Sequence, residues 1–212
     1  MQADFWLERW QKNEIGFHEG QPNTLLLRCF DRLGLDAGAR VFVPLCGKSR
    51  DIGWLLANDI QVSGIELSKD AVVQLFEDLG ITPEVDELEA VTRYRATNID
   101  IFVGDVFALT PAVLGAVDAI YDRAALIALP EEMRQRYAKH IVALTSSAPQ
   151  LLICLQYDQS LMEGPPFSVT EEKVIALYGS DYAIEQLVAE DVPGGLKGKC
   201  DALEVAWSLR DR

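Results

Sequence analysis

Several apolar runs in this chain end in residues able to bind or orient a small molecule: Leu45-Cys46-Gly47, Glu66, Asp105-Val106 and Asp122-Arg123. A carboxylate placed as Glu66 is, about 20 residues after a first strand-helix turn, is the group with which nucleotide-binding α/β domains hold ribose hydroxyls. Its bland alternative is a solvated acid at a helix entry. Asp105 could accept from an adenine amino group while the Val106 N–H meets a ring nitrogen, although Gly-Asp after a strand is also a common turn. An arginine at the carboxyl edge of a central strand is expensive to bury unpaired, so Arg123 calls for a partner, and Asp122 is the nearest candidate.

Gly47-Lys48-Ser49 resembles the end of a phosphate-binding loop, but that loop needs a glycine five positions ahead of its Gly-Lys, where this chain has Phe42. Pro44 also removes one of the N–H donors such a loop would use. A dinucleotide site would want Gly-x-Gly-x-x-Gly in the same turn, and only one glycine is present. The expected ligand therefore has a ribose and no pyrophosphate over this turn, which makes S-adenosylmethionine the leading candidate. Lys48 and Ser49 are expected to begin the next helix.

The elements that must position these residues follow from the hydrophobic rhythm. Apolar runs such as Val41 to Val43 and QLLICLQYD read as strands covered on both faces, and they alternate with amphipathic helices such as KDAVVQLFEDLG, for which Ser68 is a plausible N-cap. The alternation predicts a mainly parallel sheet with helices on both faces, whose ligands sit beyond the carboxyl ends of the strands. Thr97 and Asn98 suggest a hairpin turn, EVDELEAV reads as an acidic insert, and YAIEQLVAED with ALEVAWSL reads as an antiparallel edge pair. DFWLERWQ and TLLLRCFDRL predict N-terminal helices on either side of irregular chain.

The 212 residues suffice for one domain, and a hydrophobic fraction of 49% is ordinary for a folded protein. A net charge of -14 argues against nucleic acid or anionic membranes as partners. Cys29, Cys46, Cys154 and Cys200 lack metal-ligand spacing and read as buried thiols of a reducing compartment, so no metal and a cytoplasmic location are expected. No apolar run reaches the roughly 20 residues of a membrane span.

The stretch from Trp10 to Glu19, the turn PLCGKSxDxxWL, GIELS, DAIYDRAAL and GPPFSV together resemble the thiopurine S-methyltransferase family in its bacterial form, from about Trp6 to the C-terminus. The resemblance implies a class I S-adenosylmethionine-dependent methyltransferase fold of Rossmann-like type. It further implies one domain over residues 1–212, with a helical cover over 1–33 and the core over 40–212. The implied activity is methylation of aromatic and heterocyclic thiols, a small-molecule acceptor; a monomer is the default expectation. Carried over by position, Trp10, Leu45, Glu66, Asp105, Val106 and Arg123 match cofactor-contacting positions, and Phe17, Arg123 and Pro166 match the acceptor pocket.

Bland readings stand beside these. Trp10 could simply anchor its helix, Pro165-Pro166 could be a rigid turn, His18 is a weak candidate in a loop, and His140 reads as part of a solvated helix face. No Cys-His or Ser-His-Asp set is evident, which suits transfer to an already ionised thiol. Alternatives are methylation of selenium or tellurium compounds as the physiological role, a nucleotide enzyme using Gly-Lys-Ser, and a binding domain that has lost its chemistry.

Overall fold

The computed structural model describes residues 3–12, 14 and 20–212. Its strands are β1 (Arg40–Pro44), β2 (Gln61–Glu66), β3 (Glu84–Glu87), β4 (Thr92–Ala96), β5 (Ile99–Val103), β6 (Ala119–Arg123), β7 (Gln150–Tyr157), β8 (Ala183–Asp191) and β9 (Ala202–Arg210). The α-helices are α1 (Ala3–Gln11), α2 (Thr24–Cys29), α3 (Arg50–Ala57), α4 (Lys69–Leu79), α5 (Pro111–Leu114), α6 (Glu131–Thr145) and α7 (Glu171–Tyr178). All nine strands join one sheet in the order β3-β4-β5-β2-β1-β6-β7-β9-β8. The central run from β5 through β7 is parallel, and an antiparallel pair closes each side.

Side-chain alternation explains why this sheet is covered twice. Phe42 of β1 joins Tyr137, Ile141 and Tyr178 of α6 and α7 in one core, whereas its neighbours Val41 and Val43 join Leu25, Ile52 and Leu75 of α2, α3 and α4 in the other. Each such apolar side chain contributes about 1.5–3 kcal/mol by leaving water. Helix starts are set by short polar side chains: Asn23 caps α2, Ser49 caps α3 and Ser68 caps α4. The chain steps outward from β1 through β2 to β5, then returns to the other side of β1 with β6 and β7. The strand order thus reverses between β1 and β6, where a crevice opens at the carboxyl ends.

Three expectations need correction. The acidic stretch EVDELEAV contributes a strand, β3, whose four residues are all exposed and pair antiparallel with β4; no apolar alternation marks it, because neither face is buried. Lys48 lies before the next helix, Ser49 is its cap, and α3 begins at Arg50. Cys29, Cys46 and Cys154 are buried free thiols, but Cys200 is only half-buried. The hairpin turn occurs as expected, with Asn98 in the left-handed region at φ 63°.

Candidate functional site

The crevice at the strand switch opens into a cavity of about 1010 Å³ whose lining includes Trp10, Leu45, Glu66, Asp105, Val106, Arg123 and Pro166. Clefts for small ligands run to roughly 300–1,000 Å³, so this one stands at the large end of that range. Phe17 and His18 lie outside the described residues.

The first turn, after β1, is shaped by backbone. Leu45 adopts φ 47° and Gly47 φ 52°, both left-handed. A side chain at Gly47 would be crowded, since an added Cβ would lie 3.0 Å from Cζ2 of Trp10. Trp10, buried on α1, therefore closes over bare glycine backbone. The Gly47 N–H donates to Glu66 Oε2 at 2.9 Å, and the Ser68 N–H donates to Glu66 Oε1 at the same distance. One buried carboxylate at the end of β2 thus pins two turns. Burial pushes its pKa up, and the backbone N–H groups of Ser68, Gly47 and Leu67 oppose that rise. A carboxylate offers about four lone-pair sites, so acceptor capacity remains for hydroxyl groups.

After β5, Gly104 leads into Asp105, an exposed residue whose Oδ1 accepts from the Phe107 N–H at 2.9 Å and caps a short 3-10 turn over Val106–Ala108. His140 is not part of a solvated face: it is half-buried, its Nε2 lies 2.8 Å from the Val106 carbonyl, and its ring meets Phe107 edge-on.

At the end of β6 the two polar neighbours part. Asp122 is fully buried and accepts from the Tyr137 hydroxyl at 2.7 Å and the Leu126 N–H at 3.2 Å, so it is committed beneath the sheet. It is not the partner expected for Arg123, because successive strand residues point to opposite faces. Arg123 instead has a nitrogen 3.7 Å from Asp51 Oδ2, with its side chain only 13% exposed. Sequence reasoning missed this arrangement. Asp51, buried in the first turn of α3, accepts from the Asn23 N–H at 2.7 Å and the Tyr121 hydroxyl at 2.9 Å, and both Asp51 and Tyr121 line the cavity. An acid near a helix start reads as an ordinary dipole partner, and a tyrosine inside a strand as core, so neither announces a site.

The remaining rim comes from loops. The Tyr157 hydroxyl donates to the Pro166 carbonyl at 2.6 Å, the Phe167 N–H to the Ile127 carbonyl at 2.7 Å, and Lys197 Nζ to the Pro165 carbonyl at 3.2 Å. Among the described residues, no cluster of His, Cys, Asp and Glu has the arrangement to hold a metal ion, and no helix is long and apolar enough to cross a membrane.

Comparison with known proteins accords with this architecture. The fold is that of a Burkholderia thailandensis 1,6-didemethyltoxoflavin-N1-methyltransferase solved with S-adenosylhomocysteine bound, at a TM-score of 0.65 and 15% identity over 99% of this chain and 87% of that one. A relative named thiopurine S-methyltransferase from Xanthobacter autotrophicus is 57% identical over 99% of both chains. Another of the same name, from Gluconobacter oxydans, is 50% identical over 97% of this chain and 93% of its own. The family profile described as thiopurine S-methyltransferase matches residues 1–206, which contain every site residue named above, and the chain belongs to that family.

Proposed function

We infer that this protein is an S-adenosylmethionine-dependent methyltransferase acting on the sulfur of aromatic and heterocyclic thiols, thiopurines among them. When bound, S-adenosylmethionine supplies a methyl group on a sulfonium, which departs with the bonding pair as a neutral thioether when a thiolate lone pair attacks the methyl carbon. The protein's contribution is to hold the two partners in line, which is worth roughly 7–11 kcal/mol of barrier when geometry is good.

The residues present fit that donor. Glu66, already anchored at both oxygens, is the ribose acid, while the Leu45-Gly47 turn, which lines the same cavity, meets the amino-acid end. Asp105 and the Val106 N–H serve the adenine, with the carbonyl of Val106 held by His140. Trp10 closes the donor site, and Pro166 walls the acceptor side, where Phe17 belongs in the same reading. Arg123 orients the acceptor and favours its anionic form, so no general base is required for a thiol that ionises near neutral pH.

One observation carries this reading: the largely buried Arg123 side chain at the strand switch shares a single cavity with the Glu66-anchored turn. The whole chain, 1–212, acts in it as one cytoplasmic, monomeric domain without nucleic acid or membrane partners. The single sheet supports one domain, the free thiols a reducing compartment, and the net charge of -14 the exclusion of nucleic acid and anionic membranes.

Transfer of a labelled methyl group to a panel of heteroaromatic thiols, selenite and tellurite tests the proposal. We expect the thiols to be methylated, and Arg123→Ala to raise the acceptor KM about tenfold or more, the scale of one hydrogen bond to a charged group. No transfer to any thiol, or unchanged kinetics in Arg123→Ala, refutes it.

A further inference from the structure

The loop that carries Pro165 and Pro166 is aimed by hydrogen bonds that begin outside the cavity. It leaves the sheet after β7 and returns at Ser168 and Val169, where the Tyr157 N–H donates to Ser168 Oγ at 3.0 Å and the Val169 N–H to the Leu155 carbonyl at 2.8 Å. Gln159 sits half-buried in this loop with both amide hydrogens in use. Its Nε2 donates to the Met162 carbonyl at 2.6 Å and to the Tyr157 hydroxyl at 2.9 Å, and its Oε1 accepts from the Ser168 N–H at 2.8 Å. The Tyr157 hydroxyl in turn donates to the Pro166 carbonyl at 2.6 Å. Pro165 and Pro166 line the cavity, and Tyr157 and Gln159 stand behind them.

The direction of each bond in this chain is forced. The Met162 carbonyl can only accept and the Ser168 N–H can only donate, so the amide nitrogen of Gln159 must face Met162 and its oxygen Ser168. The second amide hydrogen then meets the Tyr157 oxygen, whose own hydrogen has to turn away from the amide, toward Pro166. We propose that Gln159 is a positioning residue for the acceptor: it orients the Tyr157 hydroxyl, and the hydroxyl fixes where the Pro166 wall stands and so sets the width of the acceptor pocket. Both residues act through Pro166 and stay clear of the reacting atoms. The inference deepens the reading of Pro166 as the acceptor wall and rests on it.

Two substitutions separate this role from plain support of the loop. Gln159→Glu keeps the shape and, at a pH above the ordinary carboxylate range, offers oxygens only. The Tyr157 hydroxyl then donates to the new carboxylate, because a bond to a charged acceptor is the stronger one, and Pro166 loses its tie. The KM for 6-mercaptopurine rises about tenfold, the scale of that bond, while calorimetry finds the S-adenosylmethionine Kd within about twofold of the parent. Gln159→Leu deletes three bonds but gives the hydroxyl no competing acceptor, so the tie to Pro166 stays and KM rises about threefold or less. Tyr157→Phe removes the tie alone and matches Gln159→Glu in KM. A glutamine that merely braced the loop would give the reverse order, with leucine the more harmful.

A crystal structure of Gln159→Glu gives a readout independent of activity, with the Tyr157 hydroxyl and Pro166 carbonyl oxygens expected to part beyond the roughly 3.0 Å of an O–H···O bond. The inference is overturned if that separation is unchanged, if Gln159→Glu leaves KM unaltered, or if Gln159→Leu raises KM as much as Gln159→Glu does. A parent enzyme inactive on every thiol sinks the assigned function, and the oxygen separation still decides whether Gln159 orients Tyr157.

Discussion

The two walls of the cavity are built differently. The floor, made by the turns after β1, β2 and β5, is tied strand end to strand end: Glu66 alone receives N–H groups from two turns, and Asp105 caps the third. The rim is made by the Gly-Pro-Pro loop and the β8–β9 connection, held mainly by single ties such as Tyr157 to Pro166 and Lys197 to Pro165. A ligand bound on the floor meets groups fixed by the sheet, whereas one bound against the rim meets loops. In the proposed reaction the donor is the invariant partner and takes the floor, while the acceptor varies and takes the rim.

If that contrast holds, substitutions below the floor should act on the whole fold, and the largest effect is expected at Asp122. Burial raises its pKa to about 6, from an ordinary 3.8, against the opposing bonds from Tyr137, Leu126 and Ala125. Because the folded value lies above the unfolded one, this group's contribution to stability is complete below about pH 4 and is lost as pH rises through about 6. Two pKa units correspond to roughly 3 kcal/mol. Urea unfolding of the parent and of Asp122→Asn across pH 4 to 8 should show their stability difference changing by that amount within this window. A constant difference would mean that Asp122 is not a buried acid in solution.

On the floor itself, Glu66→Ala removes the two backbone anchors together with the ribose acid. We expect the S-adenosylmethionine Kd to rise about a hundredfold, within the roughly 1.5–3 kcal/mol of one charge-assisted bond, with calorimetry as the measure. Gly47→Ala is the milder probe. A left-handed alanine costs about 1–2 kcal/mol, and its Cβ meets Trp10 at 3.0 Å. The donor Kd should weaken about tenfold, and tryptophan fluorescence should shift as Trp10 is displaced. If acceptor KM moved in either variant while donor Kd did not, the division between floor and rim would fail.

The same division separates what the sequence could disclose from what it could not. Glu66, Asp105 and Arg123 end apolar runs, and a period-2 pattern with a helix after it locates a strand end without coordinates. The parallel centre and the β8–β9 pair were legible for the same reason. β3 was not, since a strand exposed on both faces carries no alternation. Nor were Asp51 and Tyr121, whose meaning lies in a contact across 70 residues of chain. Which neighbour takes Arg123 depends on which face of β6 each side chain occupies, and the adjacent Asp122 was a poor guess on that ground. The left-handed Leu45 and Ala124, after β1 and β6, are likewise invisible in residue type, although such strained positions cluster at sites of function.

The smallest effect is expected at Lys197, on the rim. Its ammonium donates to the Pro165 carbonyl, and burial lowers its pKa, with Arg9 and Lys199 adding to the shift. Lys197→Met keeps the length of the side chain and cuts the tie between the β8–β9 connection and the Gly-Pro-Pro loop. An exposed polar contact of this kind is worth about 1 kcal/mol at most, so melting temperature and donor Kd should stay at parental values while the acceptor KM changes by about fivefold or less. The size of that change should differ from one thiol to another, because a loosened loop re-fits each acceptor separately. A uniform loss across thiols, or a matching loss of donor affinity, would show that the rim is coupled to the floor and that the two walls act as one.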